Sequence, residues 1–385
     1  MLDDFSLADD WGPEKVVAVA DPKTGMRGAL VIDNTARGIG KGGTRMSPTL
    51  TTTEVARLAR VMTWKWAAVD LRFGGAKAGI RFDPVSSDKE TVLRRFAKAL
   101  SSEVPAEYVF GLDMGLTEDG AAIIQDELGS PLVAVGTPAE LGGVPYDQWG
   151  VTGYGVAEAC AAAMAHCCLE VAGARVIVQG FGAVGAAAAA RLAELGATIV
   201  AVSTAVGGLY NPDGLDVAAM TAARASVGDA FVTQCDNGGN TRLLEPGEEL
   251  ILDADVLIPA ARQDVIDPDI AGQLKAQLIV EGANLPASPV ALDVLAERGI
   301  TVVPDFIANA GGVVAAAFAM EARTSVFPVE ADTVLTAVSK RLRSNTAQVL
   351  LASDLDHSTP HQAARLLAQK RVRAAMDARD RSRGV

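Results

Sequence analysis

Residues 174–204 read ARVIVQGFGAVGAAAAARLAELGATIVAVST. An apolar strand-like run leads into the glycine turn Gly180–Gly185, then an alanine-rich helical stretch to Gly196, then a second apolar run. Strand, GxGxxG turn, helix and strand in that order predict a parallel βαβ unit that holds a dinucleotide. The glycines permit a tight turn and let a pyrophosphate approach the helix N-terminus, whose free amides and dipole favour anions. Further apolar runs at 254–258, 278–280 and 301–303 each end in PAA, EGANLP or PDFIANAGGV. Repeats of this kind predict an α/β fold with a parallel sheet and its ligand at the carboxyl strand ends. The place where an acidic residue would bind the adenosine ribose holds Thr204, and no arginine follows at once. The pattern therefore leaves NAD and NADP both open.

A chain of 385 residues exceeds what one core usually supports, so two domains are expected, with a boundary in the Gly/Pro/Tyr-rich stretch 142–150. The net charge of −13 argues against nucleic-acid or anionic-membrane partners, which need clustered positive surface. No uninterrupted apolar run approaches the roughly 18 residues that would span a bilayer, and the acidic start MLDDFSLADDW lacks a signal peptide's pattern. A cytoplasmic protein is expected. Cys160, Cys167, Cys168 and Cys235 suit reduced core thiols, and three scattered histidines suggest no metal site. The basic tail (Arg365, Lys370, Arg371, Arg373, Arg379, Arg381, Arg383) reads as a solvated helix face or a subunit contact.

In the N-terminal part, 15–21 and 26–33 read as strands, 53–69 as a helix, and 37–46 as a glycine-rich loop carrying Arg37, Lys41 and Arg45. The stretch GGAKAGI sets Lys77 among glycine, alanine and isoleucine. It reads either as a surface lysine in a turn or as a desolvated lysine whose pKa falls toward neutrality. Lys65 near a helix C-terminus is explained by the helix dipole as readily as by a ligand. VFGLDMG, 109–115, reads as a buried strand that ends near Asp113, leaving Thr117 to cap the next helix. Asn284 and Asn309 offer neutral amides or serve as turn formers. Residues 152–172 and 330–351 read as helices. A last helix starts at STPHQ, with Thr359 as N-cap, Pro360 as first residue and Gln362 as capping partner.

In order, KGGTR, MTWK, FGGAKAG, the DMG aspartate, TGYGV, GFGAVG, EGAN and PDFIANAGGV resemble the glutamate, leucine, phenylalanine and valine dehydrogenase family over about 15–317. The resemblance implies a substrate and assembly domain of residues 1–150 completed by 331–385. It also implies a dinucleotide domain of 151–330, an active-site cleft between the two, and a homo-oligomer. It implies NAD(P)-dependent deamination of an L-amino acid to its 2-oxo acid and ammonia. Lys77 and Asp113 would be catalytic, and Lys65 would bind the α-carboxylate. Gly180, Gly182, Ala183, Val184, Gly185, Thr204, Ala260, Thr152, Asn284 and Asn309 would contact the cofactor, Asn309 reaching the substrate also. Lys41 matches the glutamate-type lysine for the side-chain carboxylate. Tyr154 and Ala316, where arginine and serine are usual, depart from the glutamate pattern. Glutamate is favoured, with an aliphatic or aromatic amino acid as the alternative. A noncatalytic regulatory subunit and a plain dinucleotide-binding redox sensor are the readings from other classes.

Overall fold

The structure, a computed structural model, describes residues 7–234 and 239–383. Cys235 and residues 1–6 of the acidic start lie outside the described residues. The chain separates into two compact units: Met1–Pro145, Val313–Glu330 and Leu367–Val385 form the first, and Tyr146–Gly312 with Ala331–Leu366 the second.

The first unit is built on β1 (Lys15–Asp21), β2 (Met26–Asn34), β3 (Gly40–Lys41), β4 (Thr44–Met46), α1 (Thr52–Ala68), β5 (Gly74–Arg81), α2 (Lys89–Ala99), β6 (Tyr108–Val109) and α3 (Glu118–Leu128). Its sheet runs β1-β2-β5-β3-β6, with β4 also pairing β5. β2 runs antiparallel to both its neighbours, β1 and β5, whereas β3 and β4 run parallel to β5. Two expectations are corrected here. The stretch 37–46 contributes two short strands to the sheet, and GGAKAGI is no turn but the strand β5. Alternation along β5 sends Ala76, Ala78 and Ile80 into a core with Phe96, Tyr108 and Phe110, while Val31, Val55 and Ala59 pack on the other face. VFGLDMG pairs as a strand only at Tyr108–Val109 and continues through single bridges, Phe110 with Ala134 and Leu112 with Thr44.

Glycine is a poor strand former, and its presence in β5 follows from how closely α1 packs. A Cβ on Gly75 would stand 2.0 Å from Thr63 Oγ1 and 2.3 Å from Thr63 N. Gly75→Ala is therefore expected to destabilise the chain by about 1–3 kcal/mol through overpacking. A lower midpoint of denaturant unfolding at unchanged slope would show it; an unchanged midpoint would mean that α1 is loosely seated.

The second unit holds α4 (Val151–His166), β7 (Arg175–Gln179), α5 (Ala183–Glu194), β8 (Thr198–Thr204), β9 (Gly207–Tyr210), α6 (Val217–Val227), α7 (Phe231–Gln234), β10 (Arg242–Leu244), β11 (Val256–Pro259), α8 (Pro268–Gln273), β12 (Leu278–Val280), α9 (Pro289–Glu297), β13 (Thr301–Val303) and α10 (Asp305–Ala308). After these come α11 (Gly311–Ala322), α12 (Ala331–Leu355) and α13 (Pro360–Arg383). Its sheet order is β10-β9-β8-β7-β11-β12-β13. β8, β7, β11, β12 and β13 are parallel, but β9 turns back antiparallel to β8 through the tight Thr204–Gly207 connection, and β10 pairs antiparallel to β9. Strand order reverses at β7, next to β11, which is where such sheets open a crevice for ligands.

The C-terminal helices divide differently from the expected 331–385. α12 packs on α4 within the second unit, because Gly155 lets it come close (a Cβ there would meet Leu342 Cδ2 at 2.6 Å). Buried Glu158 of α4 then accepts from Arg191 at 2.7 Å and Ser339 at 2.7 Å, and also pairs with Arg343. From Leu367 on, α13 belongs to the first unit. Three of its basic residues make contacts within the chain: Arg371 donates to the Ala67 and Ala68 carbonyls that end α1, Arg379 to Thr35 Oγ1, and Arg373 lies over Trp11. At its start, Thr359 Oγ1 accepts from Gln362 N–H and Gln362 Oε1 from Thr359 N–H, the reciprocal cap read from STPHQ.

The helix expected over 152–172 ends at His166, beyond which Cys168 takes a left-handed φ of 58°. Among the described residues only Cys160 is a core thiol, its pKa pushed up to about 12 by burial; Cys167 is half-buried and Cys168 exposed. PDFIANAGGV, expected as a loop, is α10 and the start of α11. Residues 305–322 are apolar enough to cross a membrane by length and composition, yet 67% of that window is buried in the protein, as befits a core helix.

Candidate active site

In the first unit β5 carries Lys77, which is 6% exposed. Its Nζ lies 2.5 Å from Asp113 Oδ2. Asp113 follows β6 on a backbone held by the Leu112–Thr44 bridge. Gly43 is needed there, since a Cβ would stand 2.3 Å from Leu112 O and 2.8 Å from Asp113 Cβ. Asp113 Oδ2 also faces Arg45 Nε at 3.3 Å, and Oδ1 accepts the Met114 N–H at 2.8 Å. Burial pulls the Lys77 pKa down, opposed by the Asp113 carboxylate and aided by the Arg45 charge. Burial pushes Asp113 the other way, but Lys77, the Met114 N–H and Arg45 together hold its pKa below the usual value. At neutral pH the carboxylate is ionised beside a lysine whose pKa burial has lowered. This is an acid–base pair in a desolvated site.

Lys41 on β3 is 3% exposed, and its Nζ donates to the carbonyls of Val109 and Phe110 at 3.2 Å each. Trp66 Nε1–H fixes the Lys41 carbonyl from α1 at 3.0 Å. Burial brings the Lys41 pKa down to about 7, with the charges of Arg323 and Lys77 adding. Sequence reasoning passed over Arg45 as one basic residue of a glycine loop and missed Arg323 altogether. Arg45, in KGGTR, was marked by a charge next to buried strand residues, whereas nothing local marks Arg323, on the segment that follows α11. Lys65 stands in the last turn of α1, which packs on β5, and Ala316 is half-buried on α11.

The other predicted residues lie in the second unit. Phe181 N–H donates to Ser203 O, and Gly180 N–H to Ser203 Oγ, tying the glycine turn to the end of β8. Ala183 begins α5, so the first amides of a twelve-residue helix point out of the turn. A Cβ on Gly182 would meet nothing within 4 Å, and one on Gly180 would strike Ala261 at 2.5 Å. On Gly185 it would lie 2.0 Å from Gly180 O. An open, side-chain-free cradle at a helix N-terminus fits a pyrophosphate. Val184 lies in the same first turn, its carbonyl 2.1 Å from where a Cβ on Gly153 would be. Thr204 Oγ1 donates to Gly207 O in the β8–β9 turn.

Ala260 N–H donates to Gln179 O, and a Cβ on Gly282 would stand 3.0 Å from Ala260 Cβ, so the ends of β7, β11 and β12 converge. Asn309, 7% exposed, donates from Nδ2 to Asn284 Oδ1 at 3.0 Å. Thr152 Oγ1 would lie 3.0 Å from a Cβ on Gly312. Thr152, Asn284 and Asn309 are thus gathered with Ala260 and the glycine turn in one unit. Tyr154 is in that unit too, its ring under the Arg191 guanidinium at 4.9 Å, whereas Lys41 belongs to the first unit.

A buried lysine–carboxylate pair in one unit and a glycine cradle on a mostly parallel sheet in the other define a dinucleotide-dependent enzyme. The family profile described as Glutamate/Leucine/Phenylalanine/Valine dehydrogenase matches residues 142–380, and that of the Glu/Leu/Phe/Val dehydrogenase dimerisation domain matches 13–130. The chain belongs to this family and is an NAD(P)-dependent amino acid dehydrogenase. It is 36% identical to the glutamate dehydrogenase of Thermotoga maritima over 90% of this chain and 84% of that protein. It is 37% identical to the NADP-specific glutamate dehydrogenase of Saccharolobus shibatae over 78% and 74%. A crystal structure of hetero-hexameric glutamate dehydrogenase from Thermus thermophilus (Leu bound form) superposes with a TM-score of 0.82 at 34% identity, covering 95% of this chain and 90% of that one.

Proposed function

We propose that the chain interconverts L-glutamate with 2-oxoglutarate and ammonia, reversibly, as a cytoplasmic homo-oligomer. The bound dinucleotide, NAD or NADP, supplies the hydride acceptor, held by the glycine cradle with Thr152, Asn284 and Asn309 toward its nicotinamide end. Lys65 binds the substrate's α-carboxylate. Asp113, ionised, takes a proton from the substrate ammonium and returns one to the departing amine. Lys77, its pKa lowered by burial, polarises the carbonyl oxygen and activates the water that attacks the imino carbon. One observation carries the reaction class: the 2.5 Å Lys77–Asp113 pair in a buried site. Relatives named glutamate dehydrogenase support the substrate, and the match to the family's dimerisation domain supports assembly into an oligomer.

Preference for glutamate rests on Lys41. Among the described residues its ammonium donates to backbone carbonyls, those of Gly42, Val109 and Phe110, a position from which it can turn to a side-chain carboxylate. Lys41→Leu is expected to lower kcat/KM for glutamate about 10- to 100-fold, the loss of a hydrogen bond to a charged group, while sparing apolar amino acids. Because the Lys41 pKa in the free protein is about 7, KM for glutamate should also rise as pH increases above that value, as the ammonium becomes neutral. An aliphatic substrate should show no such limb. Glutamate turnover that survives Lys41→Leu would favour the second reading, an apolar amino acid substrate, which Ala316 supports.

A further inference from the structure

The segments that follow β12 and β13 are braced through one buried carboxylate that the proposed chemistry does not use. Glu281, the residue following β12, is 1% exposed. Its Oε2 accepts the Asp305 N–H at 2.9 Å and lies 3.0 Å from His361 Nε2. Its Oε1 is buried without a hydrogen-bond partner. Asp305 returns the tie, Oδ2 accepting the Leu285 N–H at 2.9 Å and Oδ1 the Phe306 N–H at 2.7 Å. The two segments are thus cross-linked in both directions, EGANLP to PDFIAN, and the same two segments meet again where Asn309 Nδ2 donates to Asn284 Oδ1. His361 enters from the first turn of α13, whose start is fixed by the Thr359–Gln362 cap.

A carboxylate with an unsatisfied buried oxygen is costly, and packing alone would be served better by an apolar residue. Burial raises the Glu281 pKa, His361 opposes this, and the Asp305 charge adds to it. His361 and Asp305 are thus the titratable groups on which its state depends.

We propose that Glu281 is a positioning residue that, with His361 as its latch, sets the Asn284 and Asn309 amides for the nicotinamide half of the dinucleotide. The proposal rests on the reading of those two asparagines as cofactor contacts. It is tested on the full chain by binding of NADH and NADPH, followed calorimetrically, together with initial rates for Glu281→Ala, Glu281→Gln and His361→Ala. Glu281→Ala should raise the dinucleotide Kd and KM on the order of 10- to 100-fold, the effect of displacing a binding group, and leave the amino acid KM within about twofold. Glu281→Gln keeps an oxygen for the Asp305 N–H and should restore most of the loss. His361→Ala should fall between, and it decides the matter should Glu281→Ala not fold. Unchanged dinucleotide Kd in His361→Ala and Glu281→Ala overturns the proposal alone, as does an equal loss of affinity for both substrates. Failure of the unaltered chain to bind either dinucleotide overturns the reading beneath it as well.

Discussion

Lys77→Ala is expected to lower kcat by on the order of 10³-fold or more while dinucleotide affinity stays unchanged. Two losses combine in that number. The charge that stabilises oxyanion character on the substrate carbonyl disappears, and so does the group that activates water in a desolvated site. The affinity should not move, because the glycine cradle and the converging ends of β7, β11 and β12 lie in the other unit. Single-turnover kinetics with parallel calorimetry would separate the two effects. A noncatalytic or sensing role predicts no effect of Lys77 on any measured property, and a variant with near-normal turnover would favour it. Removing Lys77 also leaves Asp113 facing only Arg45 and the Met114 N–H, so its carboxyl pKa should rise.

Asp113→Asn is expected to cost about 10²- to 10⁴-fold in kcat, the usual contribution of a positioned general base. The size of the amide is right and its hydrogen bond from Met114 N–H can persist, so folding should be retained. Neighbouring charges hold the Asp113 pKa below the usual carboxylate value. In the unaltered enzyme activity should therefore fall on acidification only below that range, as the carboxylate protonates. The asparagine variant should lack this acidic limb in kcat/KM. With the carboxylate gone, the Lys77 pKa should drop further, because it was the Asp113 charge that opposed burial. A pH profile identical to that of the unaltered enzyme would remove Asp113 from the chemistry.

The second unit was legible because its motif fixes both a local conformation and a context. Gly180–Gly185 between two apolar runs became the β7–α5–β8 unit with an open cradle at Gly182. The STPHQ cap was legible for the same reason, since its hydrogen bonds are made within four residues. β5 was not, because its glycines and alanines reflect the approach of α1 rather than any strand propensity of their own. Nor was the reversal at β9: the antiparallel hairpin depends on the four-residue Thr204–Gly207 turn, which carries no strong turn signature beyond its glycine. Lys77, Asp113 and Lys41 could be picked out by residue type and by resemblance. That Lys77 meets Asp113 at 2.5 Å, that Arg45 shares the same carboxylate oxygen, and that Arg323 acts on Lys41 depend on pairing across 36 to 282 residues of chain, which no local pattern encodes. In the basic tail, Arg365, Lys370 and Arg381 are exposed, as a solvated helix face would have them, but that Arg371 finds its acceptors in Ala67 and Ala68, at the far end of the sequence, no local pattern encodes.

The most direct test is the initial rate of NADH and NADPH formation by the purified chain with a panel of L-amino acids. Glutamate is predicted to be turned over well above leucine, valine and phenylalanine, with the rate abolished by Lys77→Ala. Turnover of none of them, in either direction and with either dinucleotide, would contradict the assignment of Lys77 and Asp113 as a catalytic pair.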